Sequence, residues 1–246
     1  MRLIGNMTIR GAAGLLLAGL VAAGPAAAFP AREKLLYDIS WTGIKAGTAV
    51  QEVVREKGAI RISSTARSVE WVSRFFNVDD RIESHLTAQG ETPLPLRFTM
   101  KISEGNTRRD REIVFDREKR SAFWIDHLND NRQTVPVTPI TYDTLSSFYF
   151  VRTQKLEPGT PVFVDILDNK KLWKTEVQVL RRERVKVPAG EFDTVVVKPL
   201  MKSEGIFNRK GEMYIWLTDD QRHVPVKMQS KVKIGSITAV LTGGSF

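Results

Sequence analysis

Alternation of apolar and polar residues dominates this chain. The segment LPLRFTMKI, residues 94–102, places its apolar side chains on one face and its polar and charged side chains on the other. This period of two is typical of a β-strand with one face in the core and the other in water. In EMYIWL, residues 212–217, both faces are apolar. The pattern therefore predicts that other parts of the protein cover both sides of that strand.

Turn signals separate these segments at short intervals. The clearest is VPAGEF, where Pro188 presets the backbone of a turn and Gly190 can take a positive φ angle. It predicts a hairpin between a strand ending near Val187 and another starting near Phe192. About a dozen strands follow one another without helical crossovers, which favours antiparallel pairing.

Only two segments have helical spacing. In YDTLSSFYFVR, residues 142–152, Leu145, Phe148 and Tyr149 form an apolar stripe, and Asp143 stands where an N-cap belongs. The second segment is SVEWVSRFF, residues 68–76, with room for at most about two turns. A large antiparallel sheet avoids exposed edges by curling. We therefore predict a mainly β fold, a curved antiparallel sheet or a half-open or closed β-barrel of about a dozen strands around one central α-helix.

The start of the chain predicts export. Arg2 and Arg10 flank an amino-terminal region that runs into the apolar segment GAAGLLLAGLVAAG, and three alanines end at Ala28. These are the parts of a cleavable signal peptide, and the apolar run is too short for a membrane-spanning helix. We expect residues 1–28 to be the signal peptide and residues 29–246 a single β-rich domain in the periplasm. The chain has no cysteine, which excludes disulfides and a cysteine-linked lipid anchor.

The net charge of +9 fits either a solvated basic surface or contact with anionic envelope molecules. In that compartment we do not expect nucleic acid as a partner. The expected partner is a lipid or an envelope protein. Two runs concentrate the basic residues, and either they are solvated strand ends or they form a patch for anionic headgroups. The runs contain Arg108, Arg109 and Arg111, and then Arg181, Arg182, Arg184 and Lys186.

No familiar catalytic motif is present, so we expect a protein that is not an enzyme. One alternative remains, a hydrolase that uses Ser146 or Ser147, for example in a triad of Ser146 with Asp143 and a histidine, because a triad is defined by geometry rather than by sequence position. The segment DHLNDN, residues 126–131, offers oxygen ligands for Ca²⁺ but lacks the glycine and the distal glutamate of an EF-hand. An Asx-rich hairpin turn is the favoured interpretation, and no metal or cofactor is expected.

Aromatic residues of the two helical segments are the candidate ligand-lining set. They are Trp71, Phe75, Phe76, Phe148 and Tyr149. For the segment SVEWVSRFF, we favour rings packed in the core at one end of the barrel; the alternatives are the mouth of an apolar cavity and a partner-docking face.

Four stretches together resemble an exported bacterial family, domain of unknown function 3108 (DUF3108). They are LLYDISWTGIKAGTA, YDTLSSFYFVR, ERVKVPAGEFDTVVV and WLTDDQRHVPVKMQSKVKIGSITAVL, and the resemblance extends from about Glu33 to Leu241. In the second stretch, five residues match the family's pattern: Asp143, Ser146, Phe148, Tyr149 and Arg152. The resemblance implies an envelope β-protein without an established activity, similar in architecture to periplasmic carriers that hold acyl chains in a half-barrel.

The expected function is therefore a non-enzymatic binder or carrier of an apolar or amphipathic envelope molecule, or an assembly factor. The alternative is a structural or interaction module of an envelope complex without a small ligand.

Overall fold

The computed structural model describes residues 29–56, 58–88, 92–200, 212–231 and 235–246. These residues form fourteen strands and two helices. The first half of the sheet contains β1 (Arg32–Trp41), β2 (Ile44–Glu56), β3 (Ala59–Ser68), β4 (Asp79–Thr87), β5 (Pro95–Glu104), β6 (Thr107–Asp116), β7 (Ser121–Asp126) and β8 (Asn131–Pro136). The second half contains β9 (Val162–Asp168), β10 (Lys171–Val187), β11 (Gly190–Pro199), β12 (Met213–Thr218), β13 (Pro225–Lys231) and β14 (Ser236–Ser245).

All fourteen strands belong to one sheet, in the order β8-β7-β6-β5-β4-β3-β2-β1-β14-β13-β12-β11-β10-β9. Every ladder between neighbouring strands is antiparallel. The predicted mainly β, antiparallel architecture is confirmed, with two strands more than a dozen. In the described part of the chain no ladder joins the edge strands β8 and β9, so the sheet is not closed. Strand β8 nevertheless lies close to β10, which is paired with the opposite edge strand β9.

Two details of the sequence pattern are visible in the sheet. The VPAGEF turn joins β10, which ends at Val187, to β11, which begins at Gly190 with a φ of 143°. In β12 the side chains of Ile215 and Leu217 pack in one apolar cluster and that of Trp216 packs in another. Both faces of this strand are covered, as its apolar pattern predicts.

The helices differ in length and in burial. Helix α1 (Glu70–Ser73) has four residues, and none of them is buried. Helix α2 (Thr144–Arg152) connects the two edge strands and packs on β9 and β4. Its Leu145 and Tyr149 belong to an apolar cluster of β2–β8, while its Val151 belongs to a second cluster of β9–β12. The helix therefore joins the cores of the two halves of the sheet.

The predicted signal peptide, residues 1–28, lies outside the described residues. In the part of the chain that the structure describes, no helix has the length and apolar character needed to cross a membrane.

Candidate functional site

Asp143 caps the start of helix α2 through a capping box. Its Oδ1 accepts the backbone N–H groups of Leu145 at 2.9 Å and Ser146 at 2.8 Å. The Ser146 hydroxyl in turn accepts the Asp143 N–H at 3.2 Å and donates to Asp143 Oδ2 at 2.7 Å. Ser84 of β4 donates to the same oxygen at 2.6 Å. These bonds fix the first turn of the helix to the sheet.

Complete burial raises the pKa of Asp143, although the donors around it act in the opposite direction. Ser146 has no exposed surface, and its hydroxyl is bonded within the capping box.

The three histidines form their contacts elsewhere. His85 lies near Glu83, His127 Nε2 lies 3.1 Å from Glu112 Oε2, and His223 Nδ1 lies 2.7 Å from the Arg152 carbonyl oxygen. In the described residues, Ser146 and Asp143 are thus brought together without a histidine bonded to either. This arrangement fits a helix cap.

A buried ion pair holds the other end of α2. Arg152 donates to both carboxylate oxygens of Glu33 on β1, at 2.9 and 2.6 Å, and both side chains are 3% exposed. Tyr149 donates to the same carboxylate at 3.3 Å, and its ring stacks on the buried ring of Phe29. Burial raises the pKa of the Tyr149 hydroxyl, so it remains a donor at neutral pH. The sequence pattern placed Arg152 at a helix terminus but did not identify its partner.

Between α2 and the sheet lies a partly enclosed cavity of about 170 Å³. The helix contributes Thr144, Leu145, Ser147, Phe148 and Val151 to its wall. The sheet contributes mainly aliphatic side chains: Ile82, Val164, Ile166, Val177, Val197, Pro199, Met213, Ile215 and Met228, together with Gln51, Ser64 and Thr175. The wall is therefore mostly apolar, with a few uncharged polar groups, which is typical of small-molecule sites.

The candidate ligand-lining residues fall into two places. Phe148 lines the cavity, whereas its neighbour Tyr149 faces the ion pair with Glu33. Trp71, Phe75 and Phe76 lie on the surface, away from the cavity wall. The favoured interpretation of these three, with rings packed in the core, is wrong: they are 45%, 86% and 48% exposed. Helix α1 ends at Ser73, so only Trp71 of the three lies in it, and Phe75 and Phe76 follow its end.

These three rings form part of an aromatic surface, together with Trp41 at the end of β1 and Ile44 at the start of β2. Trp71 Nε1 donates to the Lys45 carbonyl oxygen at the start of β2, at 3.2 Å. The ring of Phe76 lies against Gly105 of the β5–β6 turn, so closely that a Cβ there would clash with it. Trp41 and Ile44 are also exposed, at 46% and 61%.

The segment DHLNDN forms the turn between β7 and β8, which confirms the hairpin interpretation. The Asp126 carboxylate accepts bonds from the backbone N–H groups of Leu128 and Asn129 and from the Asn129 amide. Among the described residues there is no group of three or more His, Cys, Asp or Glu side chains arranged to hold a metal ion.

Ion pairs neutralise much of the second basic run. Arg181 pairs with Glu183 at 2.7 Å, Arg182 with Asp219 at 2.8 Å, and Arg184 with Glu191 at 3.2 Å. In the first run, Arg108 donates to the backbone carbonyls of Gly105 and Thr107. These contacts are typical of exposed strand ends.

A model of the family described as protein of unknown function (DUF3108) matches residues 36–242. The chain belongs to this family. The resemblance inferred from the four sequence stretches is thereby confirmed. A search of curated proteins finds no significant match.

Solved structures resemble this DUF3108 chain at low sequence identity. A β-barrel-like protein of domain of unknown function DUF1849 from Brucella abortus superposes with a TM-score of 0.58, at 11% identity over 88% of this chain and 98% of the other. A protein described as a candidate lipoprotein from Parabacteroides distasonis has a TM-score of 0.38, at 13% identity over 89% and 98% of the two chains. The first comparison supports a β-barrel-like fold.

Proposed function

We propose that the protein is a non-enzymatic binder or carrier of an apolar or amphipathic molecule of the cell envelope, acting in the periplasm. The observation that carries this proposal is the apolar cavity between helix α2 and the sheet. In this proposal the sheet curves around α2, and the helix forms one wall of the binding site.

The size of the cavity limits what fits inside. An engineered apolar cavity of about 150 Å³ binds benzene. A space of about 170 Å³ therefore suits one ring or a short length of chain. Because the cavity is only partly enclosed, a longer molecule can enter by one end and leave its remainder outside. This form of binding suits an amphipathic envelope molecule with a small apolar end.

One sequence feature supports the compartment, and one structural feature supports a role other than catalysis. The signal-peptide pattern of residues 1–28 supports export to the periplasm. The Ser146 hydroxyl is buried and bonded to Asp143, which supports a role in the helix cap, because a nucleophile must be accessible to its substrate.

Native mass spectrometry of protein isolated from the periplasm tests the proposal, and the expected result is a bound small molecule. Val177→Phe places a ring in the cavity wall and should remove the bound species. Val114→Phe is the matched control, since Val114 is 39% exposed on β6 and does not line the cavity. Recovery of apo protein alone from wild type, together with failure of the cavity to take up small aromatic probes, would contradict the carrier function.

A second candidate function is an interaction module of an envelope complex, and the aromatic surface around Trp71, Phe75 and Phe76 favours it. Large exposed apolar patches often mark interaction sites. A photo-crosslinking residue at position 75 should capture an envelope protein in cells, whereas the same residue at position 128, where Leu128 is 55% exposed on another turn, should not. Equal labelling from both positions would argue against this function.

A further inference from the structure

Two of the polar side chains in the cavity wall form what we call the polar corner. Gln51 of β2 and Ser64 of β3 are directly opposite each other in the ladder between these strands, and both line the cavity. The Oε1 atom of Gln51 is buried and has no hydrogen-bond partner in the described part of the chain. A buried acceptor without a donor destabilises the folded protein, so this one requires an explanation.

The corner is polar but uncharged. None of the described residues that line the cavity is charged. A carboxylate, phosphate or ammonium group placed there would lose its hydration without gaining an ionic partner, which is strongly unfavourable. An uncharged hydroxyl loses much less hydration free energy, and it can both donate and accept a hydrogen bond.

We propose that the cavity selects a molecule with an uncharged hydroxyl on an apolar ring or chain, and that Gln51 and Ser64 recognise this hydroxyl. The inference rests on the proposed binding function and specifies its ligand class. The last torsion of a glutamine side chain is broad and roughly two-fold, so the carboxamide can turn its oxygen towards the cavity. The ligand hydroxyl then donates to Gln51 Oε1 and accepts from Ser64 Oγ. The ligand's apolar body packs against Phe148 and the aliphatic wall.

Three fluorinated rings of similar size test this specificity by ¹⁹F NMR titration of the purified protein. They are 4-fluorophenol, 4-fluorotoluene and 4-fluorobenzoate. A wholly apolar cavity favours fluorotoluene over fluorophenol by about tenfold or more, because the phenol hydroxyl is buried without a partner. We expect fluorophenol to bind at least as tightly as fluorotoluene, and fluorobenzoate to bind more weakly than both.

Gln51→Met removes the acceptor at similar side-chain size and should lower the ratio of fluorophenol to fluorotoluene affinity by about tenfold. Gln133→Met, at an exposed position of β8, is the matched control and should leave that ratio unchanged. If Gln51→Met does not fold, Ser64→Ala provides the same comparison.

The outcomes separate the two proposals. Two results overturn the hydroxyl specificity and leave an apolar binder. One is that wild type binds fluorophenol about tenfold more weakly than fluorotoluene. The other is that Gln51→Met leaves the ratio of the two affinities unchanged. Fluorobenzoate binding as tightly as fluorophenol overturns the preference for an uncharged group. Failure of all three rings to bind contradicts the binding function and this inference together.

Discussion

The buried ion pair between Glu33 and Arg152 should behave as one unit in the stability of the protein. The guanidinium donates to both carboxylate oxygens, and each side chain is 3% exposed. Arg152 also donates to the backbone carbonyl oxygen of Arg222 at 3.2 Å. Removing either partner therefore leaves the other charged, buried and only partly bonded.

The expected magnitude follows from that burial. Breaking a buried pair by removing one partner costs about 3–5 kcal/mol, whereas replacing both partners with apolar residues of similar volume is often close to neutral. Glu33→Leu and Arg152→Met should each lower the free energy of unfolding by about 3–5 kcal/mol. The double variant should lose clearly less than the sum of the two single losses, because no uncompensated charge remains. A loss of this size is a large part of the roughly 5–15 kcal/mol that stabilises a typical domain.

Wild type, the two single variants and the double variant form a double-mutant cycle. Urea unfolding, followed by tryptophan fluorescence, gives the free energy of unfolding of all four proteins. Glu70→Gln is the control, since Glu70 is 88% exposed and its partner Arg74, just after helix α1, is 71% exposed, so that their pair should contribute less than about 1 kcal/mol. Additive losses in the cycle would refute the reasoning, and so would a single-variant loss as small as that of the control. Either result would mean that water or other groups compensate the unpaired charge.

Two further predictions concern other polar contacts of the fold. Ser146→Ala removes both hydroxyl bonds of the capping box and should lower the free energy of unfolding by about 1–2 kcal/mol. The variant should still complement a deletion of the gene in cells. Failure to complement, at unchanged stability, would instead support catalysis by Ser146. Hydrogen bonds to Glu212, above all from Lys198, lower its pKa from 4.5 to about 2. Because this pKa is depressed in the folded state, its contribution is present above pH 4.5 and disappears as the pH falls towards 2. Chemical denaturation at several pH values should therefore show that the stability difference between wild type and Glu212→Gln shrinks over this interval, and a constant difference would contradict the assignment.

Local features of the fold were predictable because their causes are local. The period of two identifies strands through neighbours in the sequence, and the VPAGEF turn specifies its hairpin through the backbone preferences of Pro188 and Gly190. The N-cap of α2 was predictable for the same reason, since Asp143 and Ser146 are three residues apart.

Features that depend on distant residues were not predictable. Glu33 and Arg152 are 119 residues apart, and nothing in the local pattern around either residue indicates the other. The prediction that the rings of Trp71, Phe75 and Phe76 pack in the core was wrong for a related reason. Aromatic rings at helical spacing indicate a buried stripe only if the helix continues through them, but α1 ends at Ser73, before Phe75 and Phe76.

The persistence of the cavity has a physical explanation in the two ends of α2. A well-packed protein interior leaves few voids, because the lining atoms of a void lose dispersion attraction. The helix could fill the space by moving towards the sheet. However, the capping box ties its first turn to Ser84, and the ion pair ties its last turn to Glu33. Any such movement would stretch hydrogen bonds to carboxylates at both ends of the helix, and such bonds are among the stronger ones in proteins. Asp143, which the sequence offered as a candidate catalytic residue, therefore helps instead to hold the helix at a distance at which Phe148 lines the cavity.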